Sequence, residues 1–174
     1  ASELLFAHNN SSIKVATSLR GSTLQYLHVS EYGKICAQYP KKAKDVKTGS
    51  IPAVSPNGIV IIESTAEGDH GDFFDMTEIA RNKKDSGKEL SKKDYKFNFY
   101  PWHGAKEYQL NHKNIHITDK EHEYFDGIEQ ECNLKITLDQ RAWYVATRDS
   151  DFSGSSELMW QEYPSTPKEA FKKS

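Results

Sequence analysis

Through the first hundred positions, apolar and β-branched residues cluster in short runs separated by turn residues. Beyond them the spacing changes to threes and fours. Ser12–Ser18 alternates around Ile13, Val15 and Thr17 and predicts a strand. Arg20-Gly21-Ser22 is a turn, and Thr23–Val29 (TLQYLHV) predicts the next strand. Ile35–Lys47 has helical spacing, with Pro40 inside it or opening a second helix. Thr48–Asn57 holds Gly49, Pro52, Pro56 and Asn57 and reads as a loop. Gly58–Glu63 is almost unbroken β-branched apolar sequence, the pattern of a strand covered on both faces in a parallel sheet. Gly71–Lys83 sets Phe73, Phe74, Met76, Ile79 and Ala80 on one helical stripe. A charged loop follows over Lys83–Asp94. Tyr95–Tyr100 (YKFNFY) alternates and predicts a strand, and Pro101–His116 is irregular, with many histidines and aromatics.

The last third predicts helices. Thr118–Cys132 places Tyr124, Phe125, Ile128 and Cys132 on one face. Thr137-Leu138-Asp139-Gln140 has the form of a capping box ahead of Ala142, Trp143 and Ala146. Ser155–Tyr163 predicts a further helix ended by Pro164. Thr166-Pro167-Lys168-Glu169 opens another, with proline at its first position.

Two of the predicted strands end in polar, chemically able residues. The first delivers Ser30 and Glu31; the second delivers Glu63, Ser64, Thr65 and Ala66. Open α/β sheets bind ligands at the C-terminal ends of their strands. A carboxylate there can align a water or accept its proton, and a neighbouring hydroxyl can read a phosphate oxygen. The phosphate loop G-x-x-x-x-G-K-[ST] does not occur in the sequence.

Composition narrows the picture modestly. The 174 residues suit one domain with a small appendage, and the 36% apolar fraction is low for a free-standing one. A net charge of −2 argues against a generic nucleic-acid coat and leaves local patches open. Lys41, Lys42, Lys44, Lys47, Lys83, Lys84, Lys88, Lys92 and Lys93 alternate with acids and read as solvated faces. Cys36 and Cys132 match no metal spacing and suit a reducing compartment. His103, His112, His116 and His122 have no partner cysteines at zinc-site spacing. No apolar run approaches the roughly 20 residues of a membrane span, and the start has no signal-peptide form. A first residue that is not methionine, and a helix start at Thr166 followed by so few residues, lead us to expect a piece of a longer protein.

Three blocks carry a family resemblance: TSLRGSTLQYLHVSEYGKI (Thr17–Ile35), VIIESTAEGDHGDFF (Val60–Phe74) and MWQEYPSTPKEAF (Met159–Phe171). They resemble the phage terminase large subunit, the ATP-driven DNA-packaging motor, in the C-terminal portion of its ATPase domain. The resemblance spans most of the chain and fades between about Lys83 and Lys135. It implies an α/β fold with a mainly parallel sheet of the P-loop NTPase (RecA/ASCE-like) type. That sheet would be truncated before the phosphate loop and followed by a helical C-terminal segment. Residues 1–117 would be a partial ATPase core, and 118–174 a helical segment leading toward a nuclease domain.

By position, Thr23–Glu31 resembles the Walker B strand, with Glu31 where the catalytic glutamate belongs. Ser30 stands where the family has the magnesium-ordering aspartate. A serine there can reach Mg²⁺ only through a metal-bound water and brings no charge. Ser64-Thr65-Ala66 resembles the coupling motif, whose hydroxyls sense the γ-phosphate. Arg20-Gly21 resembles an arginine–glycine turn of the family, with its role left open.

The implied cofactors are ATP and Mg²⁺, both needing a phosphate loop from elsewhere, so the chain alone is expected to bind ATP poorly and hydrolyse none. The implied partners are double-stranded DNA, the terminase small subunit, the portal protein and further copies of the motor subunit. The implied setting is the cytoplasm of a bacterial host. Ser30 also suits a second reading, a non-catalytic DNA-binding or assembly module on an ATPase-like fold. A third, a metal nuclease using Asp126 and Glu129, lacks a supporting hairpin of acids.

Overall fold

The computed structural model describes residues 2–19 and 21–172. The chain divides into two compact units: residues 1–64 with 71–73, and residues 65–70 with 74–174. The boundary at 117/118, between a partial ATPase core and a helical segment, is what the resemblance implies; these compact units part at 64–74. Trp102 lies in the helical core, and Tyr108, Ile115 and Ile117 pack against it, so the irregular segment belongs with the helices.

In the first unit, β1 (Ser2–Phe6) and β2 (Ser11–Val15) form an antiparallel hairpin, Leu4 opposite Ile13. The sequence pattern predicts β2 alone. Strand β3 (Leu24–Val29) pairs in parallel with β4 (Val54–Ile62), matching Leu27 with Val60, His28 with Ile61 and Val29 with Ile62. The two expected strands are thus direct neighbours, with their C-terminal ends at one edge. Leu27 and Val29 point inward. On the other face Tyr26, Ile59 and Ile61 are exposed, so β4 is covered on one side only, contrary to its all-apolar pattern. β4 also starts earlier than predicted, because a bulge sets Ser55–Gly58 opposite Gln25 alone, between the Leu24–Val54 and Tyr26–Ile59 pairs. Gly58 sits in that bulge. A Cβ there would lie 2.5 Å from Val54 Cγ1 and 2.8 Å from the Gln25 carbonyl oxygen.

Between the paired strands, α1 (Tyr32–Gln38) breaks at Tyr39, and Pro40 opens α2 (Pro40–Asp45). This arrangement follows from proline's fixed φ and missing N–H, which suit a first helical turn. A π-helical turn over Val46–Ser50 then takes in the last two positions of the predicted helix, and of the predicted loop Thr48–Asn57 the rest forms a 3₁₀ turn over Ile51–Ala53 and the start of β4. The Ser50 hydroxyl, although buried, accepts from the Leu19 N–H at 3.3 Å.

Helix α3 (Asp72–Asp85) starts in the first unit and continues in the second. Of its apolar stripe only Ala80 is buried, and Ile79 is exposed. The predicted strand Tyr95–Tyr100 is not one. Its side chains still alternate, with Tyr95, Phe97 and Phe99 half-buried and Lys96, Asn98 and Tyr100 exposed, but no ladder partner lies among the described residues. Alternation requires only extended backbone; a strand also requires a neighbour.

The second unit is built on α4 (Asp119–Cys132), α5 (Leu138–Asp151), α6 (Ser156–Glu162) and α7 (Pro167–Ala170). Reciprocal capping boxes start α4 (Thr118 with Glu121) and α5 (Thr137 with Gln140). The core comprises Trp102, Phe125, Ile128, Ile136, Tyr144, Val145 and Met159. Trp102 also donates from Nε1 to the Ser165 hydroxyl at 2.9 Å. At α7 the box is incomplete. Thr166 caps Glu169 N, but the Glu169 carboxylate accepts from the Ser165 N–H at 2.9 Å and from the Tyr124 hydroxyl. Among the described residues no helix is long and apolar enough to cross a membrane.

Candidate functional site

Ser30, Glu31, Glu63 and Ser64 follow the last paired residues of β3 and β4, at one edge of the parallel pair. The ladder continues two bonds past the strands. The Glu63 N–H donates to the Val29 carbonyl at 3.0 Å, and the Tyr32 N–H donates to the Glu63 carbonyl at 3.2 Å. Glu31 lies between these bonds in the left-handed conformation, φ 56° and ψ 39°, while serving as N-cap of α1. That region is uncommon for a residue with a Cβ and costs on the order of 1 kcal/mol. The turn leaves the Glu31 side chain exposed, with no hydrogen bond or ion pair among the described residues. Ser30 is exposed as well.

The Ser64 hydroxyl is different. It is shielded from solvent and has no hydrogen-bond partner among the described residues. A buried hydroxyl without a partner carries a desolvation cost of about 1–3 kcal/mol. Most native hydroxyls avoid that cost, and a ligand oxygen would relieve it. Thr65 and the buried Ala66 follow it in the chain and belong to the second unit. Arg20 lies outside the described residues. Glu63 pairs with His28 on the open face of the sheet, Oε1 to Nε2 3.4 Å, both half-exposed.

Behind the strand ends lies a group that the sequence pattern did not single out. Tyr32 is fully buried, and its hydroxyl donates to Asp72 Oδ2 at 2.7 Å, with the Ala43 carbonyl at 3.3 Å. Lys47 pairs with the other Asp72 oxygen. The Tyr32 ring meets Phe73 edge-on, centroids 6.4 Å apart. Burial, then the Asp72 carboxylate, push the phenol well above its ordinary pKa, so it remains a donor at any physiological pH. Burial also raises the nearby Cys36 thiol, which disfavours a reactive thiolate. A signal for Tyr32 was present in the sequence: an aromatic immediately after the exposed carboxylate, one position into a helix. Only the fold reveals Asp72, forty residues on.

The acids of the nuclease reading have structural employment in the second unit. Asp126 Oδ1 and Glu129 Oε1 accept from Arg141 Nη2 at 2.8 and 3.2 Å. Glu129 also accepts from the Ile136 N–H at 2.7 Å, which holds its carboxyl below the usual range. Among the described residues no three His, Cys, Asp or Glu side chains gather as a metal site. His112 is tied to Asp139, Nδ1 to Oδ1 2.6 Å, and His122 to Arg141. Both cysteines are free thiols.

No family model, curated protein or solved structure matches the chain.

Proposed function

We propose that this chain is part of the large subunit of a phage or prophage terminase, the ATPase that drives double-stranded DNA into procapsids. The observation that carries the reading is the parallel pairing of β3 and β4. It sets the Glu31 turn beside the end of the strand that leads into Ser64. In this reading Glu31 is the catalytic carboxylate, and Ser64 and Thr65 are the coupling hydroxyls. Mg-ATP, when bound, supplies the phosphoanhydride whose hydrolysis powers the motor.

The residues fit one half of such a site. An exposed carboxylate without a partner can align the attacking water and take its proton. The Ser64 hydroxyl is shielded and has no partner among the described residues, so a phosphate oxygen would satisfy it once the atoms covering it move aside. The chain has no phosphate loop, so the main grip on the nucleotide comes from residues outside this sequence. Ser30 contributes no charge to a metal, so any Mg²⁺ contact it makes runs through water. The partners on this reading are DNA, the terminase small subunit, the portal protein and neighbouring motor subunits, in the bacterial cytoplasm.

Ser30 also favours a second reading, an assembly or DNA-binding module that keeps the fold without the turnover. Glu31→Gln in the packaging subunit carrying this chain separates the two. Turnover should fall by about 100-fold or more with ATP binding retained, the usual scale for a general base. Turnover above a tenth of normal would remove the catalytic role from Glu31 and leave the module.

A further inference from the structure

The strained turn at Glu31 is followed directly by a residue bonded at both its backbone and its side chain, and the Glu31 carbonyl accepts from the Ile35 N–H at 2.9 Å. Tyr32 grips both ends of the segment that begins after β4. Its N–H donates to the carbonyl of Glu63, just before Ser64. Its hydroxyl donates to Asp72, just after Gly71. The ring between these two bonds is fully buried. The Asp72 carboxylate is itself fixed, one oxygen taken by Tyr32 and the other by Lys47. Among the described residues Glu31 has no side-chain partner. Its direction therefore depends on the backbone at φ 56°, and that backbone is pinned by Val29 before it and Tyr32 after it. Left-handed non-glycine residues persist only where their surroundings over-determine them, and the Tyr32–Asp72 bond supplies a side-chain constraint on the very next residue.

We infer that Tyr32 is a positioning residue for Glu31, acting through its hydroxyl bond to Asp72. This rests on the catalytic reading of Glu31. The chemistry is simple. Loss of the hydroxyl leaves the ring in place but frees the start of α1 to rock, and the carboxylate then samples directions that miss the water. A misplacement of about 1 Å can cost on the order of 100-fold in rate, so partial loosening should cost about tenfold. Ground-state binding of the nucleotide does not use Tyr32 and should change little.

The test uses Tyr32→Phe, Asp72→Ala and Glu31→Gln in the packaging subunit that carries this chain. Steady-state ATP turnover is measured with Mg-ATP varied and thermal unfolding run alongside. Tyr32→Phe keeps the ring against Phe73 and removes one oxygen. Asp72→Ala breaks the same bond from a partly exposed helical position, and decides the matter if Tyr32→Phe folds poorly. The expected result is a kcat loss of about tenfold in both, KM within twofold, and unfolding midpoints within a few degrees of the parent. A loss confined to kcat marks an interaction that matters in the transition state rather than in binding. If both variants keep kcat within twofold, or raise KM alone, while Glu31→Gln has lost turnover, the positioning role is overturned and the catalytic reading stands. If Glu31→Gln keeps its turnover, both fall together.

Discussion

Replacing Arg141 with methionine removes the hub of the second unit while preserving an unbranched stem of similar length. The Arg141 side chain is 9% exposed. It donates from Nη2 to Asp126 and Glu129, from Nε to the Ile136 carbonyl at 3.3 Å, and from Nη1 toward His122 Nδ1 at 3.0 Å. The guanidinium also lies 5.4 Å from the Phe125 ring centroid. These partners do not count equally. The Asp126 side chain is 59% exposed, so its loss costs little once water replaces the arginine. Glu129 is 11% exposed and keeps Lys135 and the Ile136 N–H, which softens its loss. The Ile136 carbonyl loses an arginine bond. Breaking a buried charge pair costs about 3–5 kcal/mol when nothing remains to satisfy the orphan. The surviving partners place this case at the low end, about 3 kcal/mol.

All three tryptophans, Trp102, Trp143 and Trp160, belong to the second unit. Their fluorescence in urea therefore reads that unit without interference from the first. At a slope of about 2 kcal/mol per molar urea, the midpoint should drop by about 1.5 M. Arg141→Lys should fall between, since a lysine keeps the charge and loses the planar fork. A drop under about 0.5 M for the methionine variant would show that water already satisfies these acids and that the hub contributes no more than a surface pair.

Two further outcomes follow from the structure. Burial raises the Glu169 pKa against the lowering effect of its bonds to Ser165 and Tyr124. The folded state thus binds that proton more tightly than the unfolded chain, and the group's contribution is complete below the unfolded value of about 4.3 and lost as pH rises through the folded one. Urea midpoints of wild type and Glu169→Gln should therefore agree near pH 4 and separate by pH 8 with the glutamine variant the more stable, and the opposite order at pH 8 would mean that the carboxylate's bonds outweigh its burial. Gly58→Ala should weaken the β3–β4 pair by about 1–3 kcal/mol, because the Gln25 carbonyl cannot retreat without breaking register; hydrogen exchange at the Glu63 amide checks this, and undiminished protection there refutes it.

The helical starts could be read from sequence because capping is local. Thr118 with Glu121 and Thr137 with Gln140 each satisfy their N–H groups within four residues. The neighbouring parallel strands were legible from their polar ends and apolar bodies. The exposed face of β4 was not. Ile59 and Ile61 are as apolar as Val60 and Ile62, and only the number of covering layers distinguishes them. Tyr95–Tyr100 misled for a related reason, since alternation reports which side is wet and not whether a neighbour is bonded. At the candidate site, Glu31 and Ser64 followed from strand-end position. The left-handed turn at Glu31 and the bond from Tyr32 to Asp72 did not, because each depends on a meeting of residues far apart in the chain.

The parallel register has a kinetic side. Leu27 and Val60 stand roughly thirty residues apart, and bringing such ends together costs about 3 kcal/mol of chain entropy before any ladder bond repays it. Helices α1 and α2 and the turns after them occupy this connection, and their coiling shortens the search. The capped helices of the second unit face no comparable delay, since their first contacts are a few residues apart. On this ordering the β3–β4 edge that carries Glu31 and Ser64 is expected to close only after the α1–α2 segment has formed.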